Sequence, residues 1–313
     1  MQGKDKPLSM IRCGVADKVY GVAMDHIRSI EQTEQVTWET NGSGFDGVLQ
    51  TAHETIPVLN LGNRLGKMLT GAAEDQRLIV LEGKRPFALL VDEVSPTLHI
   101  SPTQIMEMPT AVLANSNDFF EGLVRLEEQF IPLLAPVQLH PQATPRPQTA
   151  PTRPTLNGSL ASETPDYQPQ LVVFTVPNMP TTFSFALSLS QVPEISDLPP
   201  ITPIPQAPNL VLGLTNWHAQ PVPVLDLGRY WQQPITDFED LRLLIVRTAV
   251  KDLHLGLPVN PNVRLLRLPL PYSPAQDKPD FDPALIRGRI EFEGEQLIIP
   301  DMVKLLHVIK KEG

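Results

Sequence analysis

Gly47-Val48-Leu49, followed by Ile56-Pro57-Val58-Leu59-Asn60-Leu61-Gly62, returns as Gly213-Leu214-Thr215 followed by Val222-Pro223-Val224-Leu225-Asp226-Leu227-Gly228. The separation is 166 residues, and Gly122-Leu123-Val124 with Leu126 returns at that separation as Gly288-Arg289-Ile290 with Phe292. A shift held across 75 intervening residues is a duplication. Its period exceeds the roughly 20–50 residues of a solenoid unit and indicates two whole domains. The length of 313 residues agrees, at about 150 per domain.

Composition excludes several classes. No apolar run approaches the roughly 18–20 residues of a membrane span. The charged Met1-Gln2-Gly3-Lys4-Asp5-Lys6 lacks the apolar core of a signal peptide, and the lone Cys13 cannot form an internal disulfide, so a cytoplasmic location is expected. The net charge of −10 is uneven: residues 1–140 carry 11 basic and 18 acidic side chains, and 171–313 carry 12 and 15. An acidic surface without a Lys/Arg cluster repels phosphate backbones, so nucleic acid is not an expected partner.

Between the copies, Pro141, Pro145, Pro147, Pro151, Pro154, Pro165 and Pro169 stand among Gln, Ala, Thr, Ser and Asn. Such a stretch lacks apolar surface to offset ordering entropy, and reads as an extended linker over 141–169. Its prolines also suit a ligand for a small binding domain. The expected domains are then 8–140 and 170–310.

Within each copy the local signals are strands. Val19–Ala23, Arg77–Leu81, Phe87–Val91, Leu171–Val176 and Leu241–Val246 are short, apolar and bounded by Gly, Pro, Asp or Lys. Glu82-Gly83-Lys84-Arg85 and Glu293-Gly294-Glu295-Gln296 read as hairpin turns. Helix is expected only at Asp25 to Ile30, at Leu61 to Leu69 and at Asp301 to Lys311. In the last, Met302, Leu305, Leu306 and Ile309 share one face.

The order Tyr20-Gly21-Val22, Gly47 before Ile56-Pro57-Val58-Leu59, Val91-Asp92-Glu93-Val94, Ser101-Pro102-Thr103-Gln104-Ile105 and Gly122 to Leu126 resembles the CheW-like coupling domain of bacterial chemotaxis. The second copy resembles it through Gly213-Leu214-Thr215-Asn216, Pro223-Val224-Leu225-Asp226-Leu227 and Asp301-Met302-Val303-Lys304-Leu305-Leu306. The resemblance implies a mainly β fold with few short helices: two tandem domains, each a pair of five-stranded SH3-like barrels. It also implies a scaffold that is no enzyme and uses no cofactor. Such a scaffold links the regulatory domain of a CheA-like histidine kinase to chemoreceptor cytoplasmic tips or to other CheW-like domains.

The contact pattern departs from the family. Its Asn-x-Arg-Gly loop reads Asn216-Trp217-His218-Ala219 in the second copy and Gln50-Thr51-Ala52-His53 in the first. An Arg fork holds a carboxylate bidentately and an imidazole does not, so a contact that depends on that fork is weakened. The first copy also has Asn60 for the family's aspartate, lacks the loop bearing Pro203, Pro205 and Pro208, and meets Pro136 where the second has its final helix. The candidate partner-binding residues are Asn216, Trp217, His218, Pro223, Asp226, His53 and Pro57. A second reading keeps the fold and changes the partner to another coupling domain or a pathway-specific regulator.

Catalytic readings find little support. Gly42-Ser43-Gly44-Phe45-Asp46-Gly47 matches the dinucleotide fingerprint by letters, but polar residues precede it and a strand follows, so it reads as a loop. The seven histidines have no ligand partner at three or four residues, and no metal site is expected. Asp92 and Asp226 read as acceptors of backbone hydrogen bonds rather than acid/base groups, and Cys13 as a small core residue. Trp217 stands between packing over a barrel edge and anchoring a partner; Trp231 reads as packing.

Overall fold

The apolar pentads Arg77–Leu81 and Phe87–Val91 pair antiparallel, with Arg77 opposite Val91 and Leu81 opposite Phe87. In the second half Arg242–Arg247 and His254–Val259 repeat that hairpin. The computed structural model describes residues 7–38, 44–52, 54–71, 74–83, 85–109, 119–141, 170–180, 183–248, 250, 253–267, 285–292 and 294–312. The expected linker at 141–169 lies almost wholly outside them. The chain divides into two compact units, one for each half.

Each unit holds two mixed sheets. In the first unit, one sheet runs Leu98–Ile100, Leu8–Val15, Lys18–Ala23, Gln129–Leu134, Phe120–Leu126 and Ile105–Met106, with Glu93–Val94 also pairing on Leu8–Val15. The other runs Ile27–Gln32, Arg77–Leu81, Phe87–Val91, Thr55–Asn60, Gly47–Gln50 and Val36–Trp38. In the second unit the orders are Arg264–Arg267, Gln170–Phe174, Phe183–Ser188, Glu295–Pro300, Ile286–Phe292, and Glu194–Asp197, Arg242–Arg247, His254–Val259, Gln220–Leu225, Val211–Trp217. The expected five strands per sheet hold in the second unit, whereas the first has seven and six. The surplus comes from strands of two or three residues.

The duplication extends to register. Gly47 faces Val58 and Val48 faces Pro57, just as Gly213 faces Val224 and Leu214 faces Pro223. The ladder slips between Phe120 and Gly122 and again, 166 residues on, between Ile286 and Gly288. Such an irregularity bends a strand locally, and its repetition shows that both copies keep one backbone plan.

Period-2 alternation places the core. Leu49, Ile56, Val58, Leu78, Val80, Ala88 and Leu90 form one buried cluster in the first unit. The alternate residues Leu59, Ile79, Leu89 and Val91 are buried as well, so these strands bury both faces. Burial of one such side chain contributes about 1.5–3 kcal/mol. Every sheet has its own cluster, that of the last sheet being Val222, Val224, Leu243 and Ile245.

Two helix expectations are corrected. Asp25 to Ile30 is a single 3₁₀ turn, Met24–His26, followed by the strand Ile27–Gln32, because the latter finds a ladder partner in Arg77–Leu81. The segment Leu61 to Leu69 is helical only over Leu61–Arg64. Gly66 takes φ +70° and the Lys67 N–H donates to the Gly62 carbonyl at 2.8 Å, a glycine-assisted stop. The C-terminal helix spans Met302–Glu312 and buries Met302, Leu305, Leu306 and Ile309 as expected. Asp301 caps it, accepting from the N–H groups of Val303 and Lys304. In the first unit only Pro136–Leu139 is helical at this point.

Candidate functional site

The departure from the family loop falls on the hairpin between Val211–Trp217 and Gln220–Leu225. Trp217 pairs with Gln220, so His218 and Ala219 are the two central residues, at φ +47° and +64°. Two positive φ values mark the turn whose twist matches the flanking strands, and that geometry favours Asn-Gly. A residue with a Cβ is strained there by about 1–2 kcal/mol. Ala219→Gly is therefore expected to stabilise the second unit by about 0.5–1 kcal/mol, net of the extra freedom glycine gives the unfolded chain. A denaturant midpoint that stays put or falls would show that the turn is not strained at Ala219.

One carboxylate organises this hairpin. Glu194, in the strand Glu194–Asp197, accepts from the Trp217 indole N–H at 2.9 Å, and its Oε2 lies 2.7 Å from His218 Nε2. These bonds, the indole's first and the imidazole's second, hold the Glu194 carboxyl below its ordinary value. Glu194–Asp197 is the first strand in the sheet order and the hairpin is at the far end, so the contact ties the two ends of one sheet. Exposed pairs of this kind are worth only about 0–1 kcal/mol, so the contact orients the hairpin more than it stabilises the fold.

The equivalent strand and hairpin are joined in the first unit, with the carboxylate on the hairpin instead of the strand. Arg28, in the strand Ile27–Gln32, forms an ion pair with Glu54 of the hairpin between Gly47–Gln50 and Thr55–Asn60. The Thr51 hydroxyl donates to the Glu54 carbonyl at 2.8 Å and accepts the Glu54 N–H at 3.0 Å. The two hairpins thus present different chemistry on one frame.

An open groove of about 430 Å³ runs beside the second hairpin, between Glu194, Asp197 and Leu198 on one side and Asn216, Trp217 and His218 on the other. Trp217 is half-buried: its ring packs on the Val222, Val224, Leu243 and Ile245 cluster and lies 4.7 Å from His254. The packing reading of Trp217 holds for the part of the ring on the cluster, and another part of the ring lines the groove. His218 is exposed, with 68% of its side chain accessible.

The other sequence candidates lie elsewhere. Pro223 is buried in the ladder opposite Leu214, and its counterpart Pro57 is half-buried opposite Val48. Asp226 is fully buried and caps Leu227–Tyr230, accepting from the N–H groups of Arg229 at 3.3 Å and Ile235 at 2.9 Å. His53 lies outside the described residues. Asp92 accepts three backbone N–H bonds, from Ala16, Thr70 and Gly71. Gly47 of the fingerprint-like stretch opens a strand, not a helix. Trp231 packs on Phe185 and Tyr230. Cys13 is buried in Leu8–Val15, and desolvation pushes its thiol up to about 12, far from a reactive thiolate.

Sequence reasoning missed Glu194 and His254. Neither lies near Trp217 in the chain, and no motif links them to it; closure of the sheet brings them there. Among the described residues no group of three or more His, Cys, Asp or Glu converges as metal ligands, and no helix is long and apolar enough to cross a membrane.

A family model described as the CheW-like domain matches this chain twice, over residues 9–143 and 170–310. Among solved structures, the chain is similar to the scaffolding protein TtCheW from Thermoanaerobacter tengcongensis. That match has 22% identity and a TM-score of 0.38, and covers 42% of this chain and 90% of that one.

Proposed function

The chain belongs to the CheW-like domain family, and from that membership we propose that it is a cytoplasmic, non-enzymatic adaptor coupling a chemotaxis-type histidine kinase to chemoreceptors. The observation that carries this reading is the presence of the family domain twice in one chain, in one backbone register. We take the domains as 8–140 and 170–310, with 141–169 as the tether. A tether makes a second weak contact intramolecular, at effective concentrations in the millimolar range, and raises avidity without new contacts. The second hairpin is the contact element of this proposal: Asn216, Trp217 and His218 line an accessible groove, and a half-buried Trp is a common interface anchor.

A specific observation favours the second reading, a partner other than kinase and receptor. The family's Arg-Gly is His218-Ala219 here, and His218 is engaged by Glu194. Titration of the full chain with the regulatory domain of its kinase, and separately with receptor tips, tests the proposal. Binding at tens of micromolar or tighter is the expected result, and absence of binding to both would overturn it. His218→Arg separates the two readings. If the family contact persists, kinase binding tightens by about fivefold or more, as one charge-assisted bond provides. Unchanged binding would favour the divergent partner.

A further inference from the structure

The first unit carries a groove of about 370 Å³ that the coupling reading does not use. Its apolar lining is Trp38, Met68, Leu69 and Leu90, and its polar lining includes Asn60, Asn63 and Gln76. Trp38 is 49% exposed and Met68 82%. Single exposed apolar residues are ordinary, but an indole face and a thioether open on one groove make a surface suited to a ligand.

We propose that the proline-rich segment following Pro141 binds across this groove as an extended ligand in cis. The described part of the first unit ends at Pro141. The Pro141 ring packs on Gly44, where an added Cβ would lie 2.7 Å from it, and the His140 ring stands edge-on to Phe45 and Phe87. From Gly44 both walls begin within three residues. Asp46 accepts from the Asn60 N–H at 2.7 Å and from Asn63 Nδ2 at 2.8 Å. Gly47 lies beneath the Trp38 ring, which an added Cβ would meet at 3.0 Å.

The chemistry of the segment fits the groove. Prolines present carbonyls with no N–H to satisfy, favour an extended backbone at low entropic cost, and stack on aromatic faces. Residues 142–154 carry Arg146 and Arg153 and no carboxylate, whereas residues 1–140 have seven more acidic than basic side chains. Glu34 and Asp75 adjoin Thr33 and Gln76 of the lining in sequence. Reach is ample: at about 3.1 Å per residue, Pro145 lies within about 12 Å of the exit and Pro154 within about 40 Å.

Oxidation of Met68 by dilute peroxide, followed by mass spectrometry, reads the coverage in the full chain. The comparison is a variant in which Pro145, Pro147, Pro151 and Pro154 become Gly and Arg146 and Arg153 become Ser. With an effective concentration in the millimolar range and an affinity near 100 µM, Met68 should oxidise about tenfold more slowly in the native chain. Excess free peptide of residues 141–156 should restore protection to the variant. The buried Met10 and Met302 report folding, and stay slow in both. Equal Met68 rates would overturn the proposal. Protection that rises with protein concentration would also overturn it, since the occupant would then come from a second copy.

Discussion

Gly213→Ala is expected to destabilise the second unit by roughly 2–6 kcal/mol, combining about 1–3 for backbone strain and about 1–3 for overpacking. Gly213 has φ +153°, where side chains are rare, and an added Cβ would stand 2.2 Å from the Thr202 carbonyl oxygen. That oxygen cannot retreat cheaply. Thr202 and Leu214 exchange two backbone bonds, of 2.7 and 2.8 Å, which fix the loop bearing Pro203, Pro205 and Pro208 across the hairpin. Gly47 is the control. There an added Cβ would meet the Thr37 carbonyl at 2.9 Å and the half-exposed Trp38 ring at 3.0 Å, and the ring can swing. Gly47→Ala should cost less, about 1–2 kcal/mol. Denaturant unfolding followed by tryptophan fluorescence measures both, with two of the three tryptophans in the second unit. A Gly213→Ala midpoint within about 0.5 kcal/mol of the parent would mean that the loop does not roof this glycine.

Asp226→Ala should cost about 2–4 kcal/mol. It removes a helix cap worth about 1 kcal/mol and leaves the buried Ile235 N–H without its acceptor, at about 1–3 more. The Arg229 guanidinium, 3.3 Å from the carboxylate, is one-third exposed and stays partly hydrated, so its loss adds little. Asp226→Asn should fall between. Its amide oxygen can still cap Arg229, but an NH₂ replaces one of the two acceptors. The first unit shows how an asparagine is accommodated: Asn60 caps Asn63, while Asp46 supplies the carboxylate from the preceding strand's approach. If Asp226→Ala left stability unchanged, Asp226 would be free for a contact role instead of a structural one. Hydrogen exchange at Ile235 gives a local readout of the same loss.

Legibility differed by element. The strands Arg77–Leu81 and Phe87–Val91 were readable to the residue, because short apolar runs bounded by turn residues have few alternatives. The C-terminal helix was readable because Met302, Leu305, Leu306 and Ile309 repeat at helical spacing after a capping Asp301. Asp25 to Ile30 was not: its isoleucine spacing suits a helix, and only the neighbouring strand decides for extension. The extra strand Val36–Trp38 was missed for the same reason, since three residues carry no period and the ladder with Gly47–Gln50 forms only once Gly47 lets the backbones approach. In the second copy the prolines at 203, 205 and 208 leave a single bridge there, because proline has no N–H to donate.

The amino-acid order alone settled that there are two copies of one mainly β domain. Spacing, glycine placement and alternation are local or strictly periodic properties, and they survive divergence of the side chains between the copies. It also located the altered loop at Asn216 to Ala219. Only the folded chain decided what that loop is: a strained two-residue turn whose Trp217 and His218 share Glu194, with Pro223 buried in the strand that leaves it and Asp226 buried past that strand's far end. Such a meeting depends on how a sheet brings its two ends together, and no spacing along the chain encodes that distance.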